Sequence, residues 1–465
     1  MAIKATIKIN SEELQTFTSL KIEQAISGHH RFELKIPLSQ DVDIIGDSSD
    51  FISKPISIEF SDSSKGNKHL NFFKGIITEI SFDLRNGRHG YKTLIGYSPT
   101  ILFEHGPGFV SYNNKTLKDI FRATMENFPM NLITSNINPN FRDPIPYSSQ
   151  YNESKFNYLK RLANKYGEWF YYDGTDLRLG PPEPSATVDL NYPSSTSLHL
   201  SLQIVPLNFT KSGYDYKNDN LEFTDASDTD DPDLGSYGNI VYDKSGGLFN
   251  ATSKYTSNSN SQKKAHLDTE VKVEKHQRAS SLVMLSGSSN NENAGLGIGK
   301  TITVNANNSD QVVAYGKYIV TEVTHLIEAG GNYFNSFKAI PQTVSHPPLA
   351  QVDTPVTLLE TATVLDNKDP EKLGRLIVQF RWQHGKEQTD WIRTNSLYNG
   401  ANRGLNFNPE VDDEVMVSFA NNDPDQPIVI GSLRNFSDAY DDAKDQHLTR
   451  FITSLYSMIK FNDSS

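Results

Sequence analysis

Apolar and polar residues alternate from the start of the chain. In MAIKATIKIN, Ile3, Ala5, Ile7 and Ile9 oppose Lys4, Thr6, Lys8 and Asn10, which is the period of a half-buried β-strand and not the apolar run of a signal peptide. The same period recurs in Phe32, Leu34, Ile36 and Leu38, in Ile56, Ile58 and Phe60, from Phe73 to Phe82, and in Tyr91, Thr93, Ile95 and Tyr97. Turn material such as SSKGNK and RNGRHG separates the runs, and Asn86-Gly87 is a hairpin signal. This region predicts an antiparallel sheet or barrel.

The period then changes. In TLKDIFRATMENF, Leu117, Ile120, Phe121, Met125 and Phe128 fall at helical spacing behind a capping-box-like Thr116 and Asp119. NESKFNYLKRLANKYG stacks Phe156, Leu159, Leu162, Ala163 and Tyr166 on one face and stops at Gly167. EWFYYDG turns at Asp173-Gly174 into TDLRLG, closing a small α/β insert over about residues 109–180. From Leu198 the β pattern returns, interrupted by the acidic FTDASDTDDPDLG and by the polar TSKYTSNSNSQKK, which composition predicts to be mobile. A further helix is predicted around Ala265 to Met284, followed by NAGLGIGKTITV and a strand pair, YGKYIVTEVTHLI and YFNSFKAI. The proline-rich PQTVSHPPLAQVDTPV predicts an extended linker and a domain boundary. Beyond it, Leu376, Val378, Phe380 and Trp382, then Trp391 and Ile392, then Val411, Val415, Val417 and Phe419, then Ile428 and Ile430 mark short strands, enough for a small closed barrel such as an OB-fold. Alternation resumes at Phe451.

Composition narrows the class. The chain has 465 residues, room for roughly three domains. Its 21 Tyr, 25 Phe, 29 Gly and 22 Pro favour short strands and turns, so the fold class is mainly β with a small α/β insert. Having no cysteine, it can form neither disulfides nor thiolate nucleophiles, which suits folding in the cytoplasm. A net charge of -12 without a basic stripe disfavours nucleic acid.

Candidate chemistry is sparse. Trp382, His384, Asp390 and Trp391 cluster in KLGRLIVQFRWQHGKEQTDWIRTNS, but with neither a G-x-S-x-G elbow nor a Cys they read as a barrel corner. Asp225 to Asp233 lacks the glycine and the final acid of an EF-hand register and reads as a solvated loop. Asp423 and Asp425 sit in turn chemistry, and His29, His30, His266, His276 and His325 lack ligand spacing. AGLGIGK leads into a strand, unlike a phosphate-binding loop. No enzyme activity, metal or cofactor is expected.

DPEKLGRLIVQFRWQHGKEQTDWIRTNSLYNGANRGLNFNPEVDDEVMVSFANNDPDQPIVIGSLRN resembles the OB-fold of VgrG spike proteins of type VI secretion and related contractile injection systems, including phage baseplate hubs and spikes. Asp369, Pro370, Gly374, Arg375, Val378, Phe380, Trp382, Trp391, Ile392, Arg393, Pro409, Glu414, Val415, Val417, Phe419, Asp423, Pro424, Pro427, Val429, Gly431 and Asn435 carry the match. YNESKFNYLKRLANKYGEWFYYDG resembles the hub half of that family. Asn422 replaces the usual Gly before Asp423, and TSLYSMIKFND lacks the usual Gly at the needle entry.

The resemblance implies a hub of tube-like β-barrels over 1–345, a linker and OB-fold over 346–436, and the start of a trimeric β-helix needle over 437–465. It implies an OB-fold core of Leu376, Val378, Phe380, Trp382, Trp391, Val415, Val417 and Phe419, and needle contacts at Phe451, Leu455, Ile459 and Phe461. The implied partners are two further copies, a hexameric inner-tube protein, baseplate proteins, a PAAR-like tip, effector cargo and the target membrane, with no nucleic acid. The protein would fold in the bacterial cytoplasm and leave on firing. The alternative is an OB-fold module binding carbohydrate or single-stranded nucleic acid, but Glu371 to Arg393 mixes both charges. A spike carrying a lysozyme finds no room between Asn435 and Phe451.

Overall fold

The computed structural model describes residues 3–38, 44–83, 90–126, 128–129, 132–183, 188–192, 196–257, 264–308, 311–400, 403–405, 407–435, 448–452 and 458–462. Asn86-Gly87, the polar residues 258–263 and Leu455 lie outside them. The chain divides into two compact units, Met1–Val356 and Thr357–Ser465.

A thirteen-stranded sheet organises the first unit. Its first half runs Ile3–Ile9, Pro55–Asp62, Lys68–Asp83, Tyr91–Tyr97, Arg31–Pro37, Ser19–Ala25, every pair antiparallel. Period-2 alternation sets the faces: Phe32, Leu34 and Ile36 are buried together with Leu20 and Ile22 of the next strand. The opposite face carries Arg31, Glu33 and Lys35 as surface ion pairs. Gly96 stands opposite Phe32, whose ring occupies the space a side chain would fill.

The second half continues through Gln311–Glu328, Tyr333–Pro341, Val283–Asn290 and Thr196–Leu202. The 18-residue strand Gln311–Glu328 changes neighbours along its length. Residues up to Ile319 pair with Thr301–Asn308, whereas Glu322 to Glu328 pair with Ser19–Ala25 of the first half. The irregularity between Val320 and Glu322 marks the change, as bulges do where a strand must bend. Ile26 donates to the Thr321 carbonyl there, so that backbone group is not left unpaired.

Among the described residues five α-helices accompany the sheet: α1 (Ile44–Phe51), α2 (Leu117–Met125), α3 (Lys155–Lys165), α4 (Gly235–Leu248) and α5 (Lys264–Ala279). α2 and α3 lie where the helical spacing predicts. Thr116 caps α2 by accepting from Asp119 N, Ser154 caps α3 by accepting from Asn157 N, and Gly167 (φ 67°) follows the end of α3. Their apolar stripes pack into one core with Phe103, Ile137, Phe170 and Leu177. α5 ends before Met284 because Val283 already belongs to a strand. α1 and α4 are not apparent from periodicity. α5 covers a three-stranded sheet of Phe209–Asp215, Asn220–Asp225 and Ser253–Thr256, a second α/β insert.

From Gln342 to Leu359 the chain forms neither helix nor strand. The second unit then builds a five-stranded sheet in the order Ile377–Phe380, Glu360–Asp366, Glu414–Phe419, Pro427–Ser432, Arg393–Thr394. Leu448–Ile452 and Met458–Asn462 pair as an antiparallel hairpin, with Phe451 opposite Ile459. The sequence pattern suggested a single strand from Phe451 to Phe461. Within one chain the two ends of that segment instead supply each other's ladder partners.

Gly96→Ala should destabilise the first unit by about 1–3 kcal/mol or more, because the added Cβ would meet the Ile76 carbonyl oxygen at 2.0 Å as well as the Phe32 ring at 2.6 Å. In urea unfolding, the first unit's midpoint should fall and the second unit's should not.

Candidate assembly surfaces

The OB unit is built from inward-pointing alternate residues. Leu376, Val378, Phe380, Val415, Val417 and Phe419 are buried with Ala362, Val364 and Val429. Ile377–Phe380 and Arg393–Thr394 end the sheet, and between them the residues just before each, Leu376 and Ile392, bridge by reciprocal N–H to O bonds of 3.0 and 2.9 Å. That bridge joins the two edges.

The tryptophans differ from the sequence expectation. Ile392 is buried and Trp391 half-buried, because adjacent strand residues point to opposite faces. Trp382 lies past the strand end, also half-buried, stacked on Phe380 with ring centroids 5.1 Å apart, and Phe380 stacks in turn on Phe419.

The D-P-x-x-x-G-R stretch folds around one carboxylate. Asp369 accepts from the backbone N–H of Glu371 (3.0 Å), Leu373 (2.9 Å) and Arg375 (3.2 Å), and from Arg375 Nε (3.0 Å) and Nη2 (2.7 Å). The Arg375 guanidinium, followed by these N–H groups, holds the Asp369 carboxyl well below the usual carboxylate range. Gly374 takes φ 72°, which lets the loop close on the carboxylate. The turn at 420–426 is similar in kind. Asp423 accepts from Asp425 N (2.9 Å) and Gln426 Nε2 (3.1 Å). Asn422 has φ 57°, explaining why glycine suits that position and why asparagine, tolerant of the left-handed region, replaces it. All these polar residues arrange loops.

The hub motif decodes in the same way. Glu153 receives Arg161 Nε (3.2 Å) and Nη2 (2.7 Å) and Asn157 Nδ2 (2.6 Å), while Phe156, Leu159 and Leu162 fill the core below. His30 and His325 are fully buried, which pushes each down to about 3, so both are neutral; His30 meets Gln24 and His325 meets Tyr333. Among the described residues no group of three or more His, Asp or Glu could hold a metal.

The acidic loop is not merely solvated. Lys275 of α5 is buried, and its ammonium donates to the carbonyls of Ala226 (3.0 Å) and Thr229 (2.9 Å) and to Asp231 (2.7 Å). Lys272 pairs with Asp230 (2.6 Å). A cation from the chain itself thus sits where the acid run suggested an ion. Sequence reasoning misses it because the partners are more than forty positions apart.

Apolar side chains remain exposed on the second unit. Around the hairpin Asn399–Gly400 with Arg403–Gly404, Leu397 is 92% exposed and Phe407 64%, with Tyr398 and Leu405 beside them in sequence. Leu358, Leu359, Met458 and Ile459 are exposed as well.

The chain thus carries a bulged, mainly antiparallel sheet with two α/β inserts and then a small barrel joined at its edges. Residues 23–331 match the family model of the phage tail baseplate hub (GPD), and residues 360–433 match that of the type VI secretion system/phage-baseplate injector OB domain. The chain belongs to the phage tail baseplate hub family and carries the injector OB domain after the hub. Type VI secretion system spike protein VgrG1a of Pseudomonas aeruginosa is 23% identical over 426 residues, covering 83% of this chain and 62% of that protein. VgrG1b of the same organism is 21% identical over 446 residues, 87% of this chain and 58% of that protein. The chain therefore spans about six-tenths of the length of these relatives. Among solved structures, the E. coli c3393 protein, a type VI secretion component described as similar to T4 tail proteins gp27 and gp5, superposes with TM-score 0.61 at 15% identity, over 92% of this chain and 99% of that one. A chain of the Francisella PdpA-VgrG complex gives TM-score 0.61 at 11% identity, over 99% and 83%. These two are likenesses of fold.

Asp369→Asn should cost up to about 3–5 kcal/mol in OB stability, since it removes the buried carboxylate nearest Arg375 and leaves the longer pair with the half-exposed Glu371 at 3.4 Å. A carboxylate depressed by folding contributes fully above its ordinary value of about 3.9 and loses that contribution as pH falls toward the folded value. The difference between parent and variant, measured by thermal unfolding, should therefore be constant near neutrality and shrink on acidification.

Proposed function

We propose that this chain is the structural hub and spike subunit of a contractile injection machine. Three copies assemble, their hub regions (1–345) seat on a hexameric inner tube, their OB-folds (346–436) form a collar, and residues 437–465 begin a β-needle driven through a target membrane. The observation that carries this reading is the order of two family matches in one chain, hub over 23–331 and injector OB over 360–433. The arithmetic of symmetry supports it: each chain has two half-sheets with separate cores, so three chains offer six faces to a six-fold ring.

The apolar surface of the second unit supports association between copies. Phe451, Leu455, Ile459 and Phe461 are the proposed needle contacts, and Ile459 is 61% exposed in the single chain. Baseplate proteins, a PAAR-like tip and effector cargo complete the proposed partners. The protein folds in the bacterial cytoplasm and leaves on firing, and no helix among the described residues is long and apolar enough to cross a membrane. The role is mechanical: the Asp, Glu and Arg clusters of both units brace loops and helices.

Sedimentation should give three times the chain mass, and Leu397→Asp with Phe407→Asp should raise the trimer dissociation constant at least ~100-fold by placing unpaired carboxylates in the contact. Injection should be lost in the same variant. A stable monomer of the parent, or turnover of peptidoglycan by it, would overturn the proposal.

A further inference from the structure

The proline-rich stretch after the hub sheet has no ladder of its own, so its backbone groups must find partners elsewhere. Pro347, Pro348 and Pro355 favour an extended path. Val344, Pro347 and Pro355 are buried, and His346, Pro348, Ala350 and Val352 half-buried, so the stretch lies against the first unit along most of its length. Three residues per turn without internal hydrogen bonds is the habit of polyproline II.

α3 meets that backbone with two asparagines. Asn164 Oδ1 accepts from Ala350 N at 3.0 Å. Asn157 Oδ1 accepts from Asp353 N at 3.3 Å, and its Nδ2 donates to the Asp353 carbonyl at 2.8 Å. The two repeats are commensurate. Seven helical residues advance about 10.5 Å, and three polyproline residues advance about 9.3 Å, so side chains seven apart on the helix can address backbone groups three apart on the strap. The Asn157 amide also donates to Glu153, which Arg161 holds in place.

The upstream end is fixed differently. Ser345 Oγ lies 3.0 Å from His276 Nδ1 and 2.8 Å from His346 Nδ1. The His346 ring packs over Gly167, where a Cβ would come within 2.5 Å of it.

We infer that residues 346–355 form a polyproline strap that α3 clasps through the backbone, and that this clasp sets where the chain leaves the first unit and can be released without unfolding it. Recognition does not depend on the side chains of Ala350 or Asp353. Asn157 holds both backbone groups of Asp353, and His346 is anchored by packing over Gly167.

Hydrogen exchange of the full chain, read by mass spectrometry, tests this. In the parent, the Ala350 and Asp353 amides should be protected between unprotected neighbours. Asn157→Ala with Asn164→Ala should speed their exchange about tenfold or more with the α3 amides unchanged. Because Asn157 also braces Glu153, a second variant acts from the strap side. Ala350→Pro with Asp353→Pro removes both N–H donors yet keeps the extended path, and protease should then cut the strap several-fold faster. Unprotected Ala350 and Asp353 amides in the parent overturn the inference. So does a strap whose exchange in the first variant and cleavage in the second match the parent.

Discussion

The first unit depends on one strand keeping two sets of partners. Gln311–Glu328 gives its first half to Thr301–Asn308 and its last residues to Ser19–Ala25, with Tyr333–Pro341 along its other edge from Tyr318 onward. A strand that changes neighbours must bend and leaves backbone groups unpaired where it does so. Here Val320 and Thr321 are at that point, and their groups are taken by Lys300, Gly299 and Ile26. Two half-sheets with separate cores become one hydrogen-bonded object.

Much of this was legible because it is local. Period-2 runs gave the strands of the first half, and Thr116, Ser154 and Gly167 bounded α2 and α3 by caps that depend on neighbours three or four residues away. α4 was hidden because GSYGNIVYDKSGGL carries four glycines and no apolar stripe. It is held by packing from outside, with Val241 in the core of the second half-sheet and Gly238 against Leu234 and Val283. Trp391, which the family resemblance places in the OB-fold core, is half-buried, and the interior place goes to its neighbour Ile392.

The family motifs gain a physical meaning once folded. A reader looking for chemistry would single out Asp369, Arg375, Glu153, Arg161 and the acidic run at 225–233. Each is spent on its own loop or helix: the Asp369 carboxylate gathers three backbone N–H groups and a guanidinium, and Lys275 supplies the cation that the acidic loop needs. Buried charge of this kind specifies loop shape at little net gain in stability.

The pairing of Gln311–Glu328 with Ser19–Ala25 also sets a schedule on the ribosome. The partners are about 300 residues apart, and at synthesis rates of about 5–20 residues per second the early edge waits tens of seconds for its neighbour. During that time the nascent first half has an open strand able to pair with a neighbouring polysome's copy. Lys21 and Glu23, exposed on that strand and paired with each other at 2.6 Å, keep charge on the waiting edge, so the same residues that decorate the finished sheet guard it while it is being made.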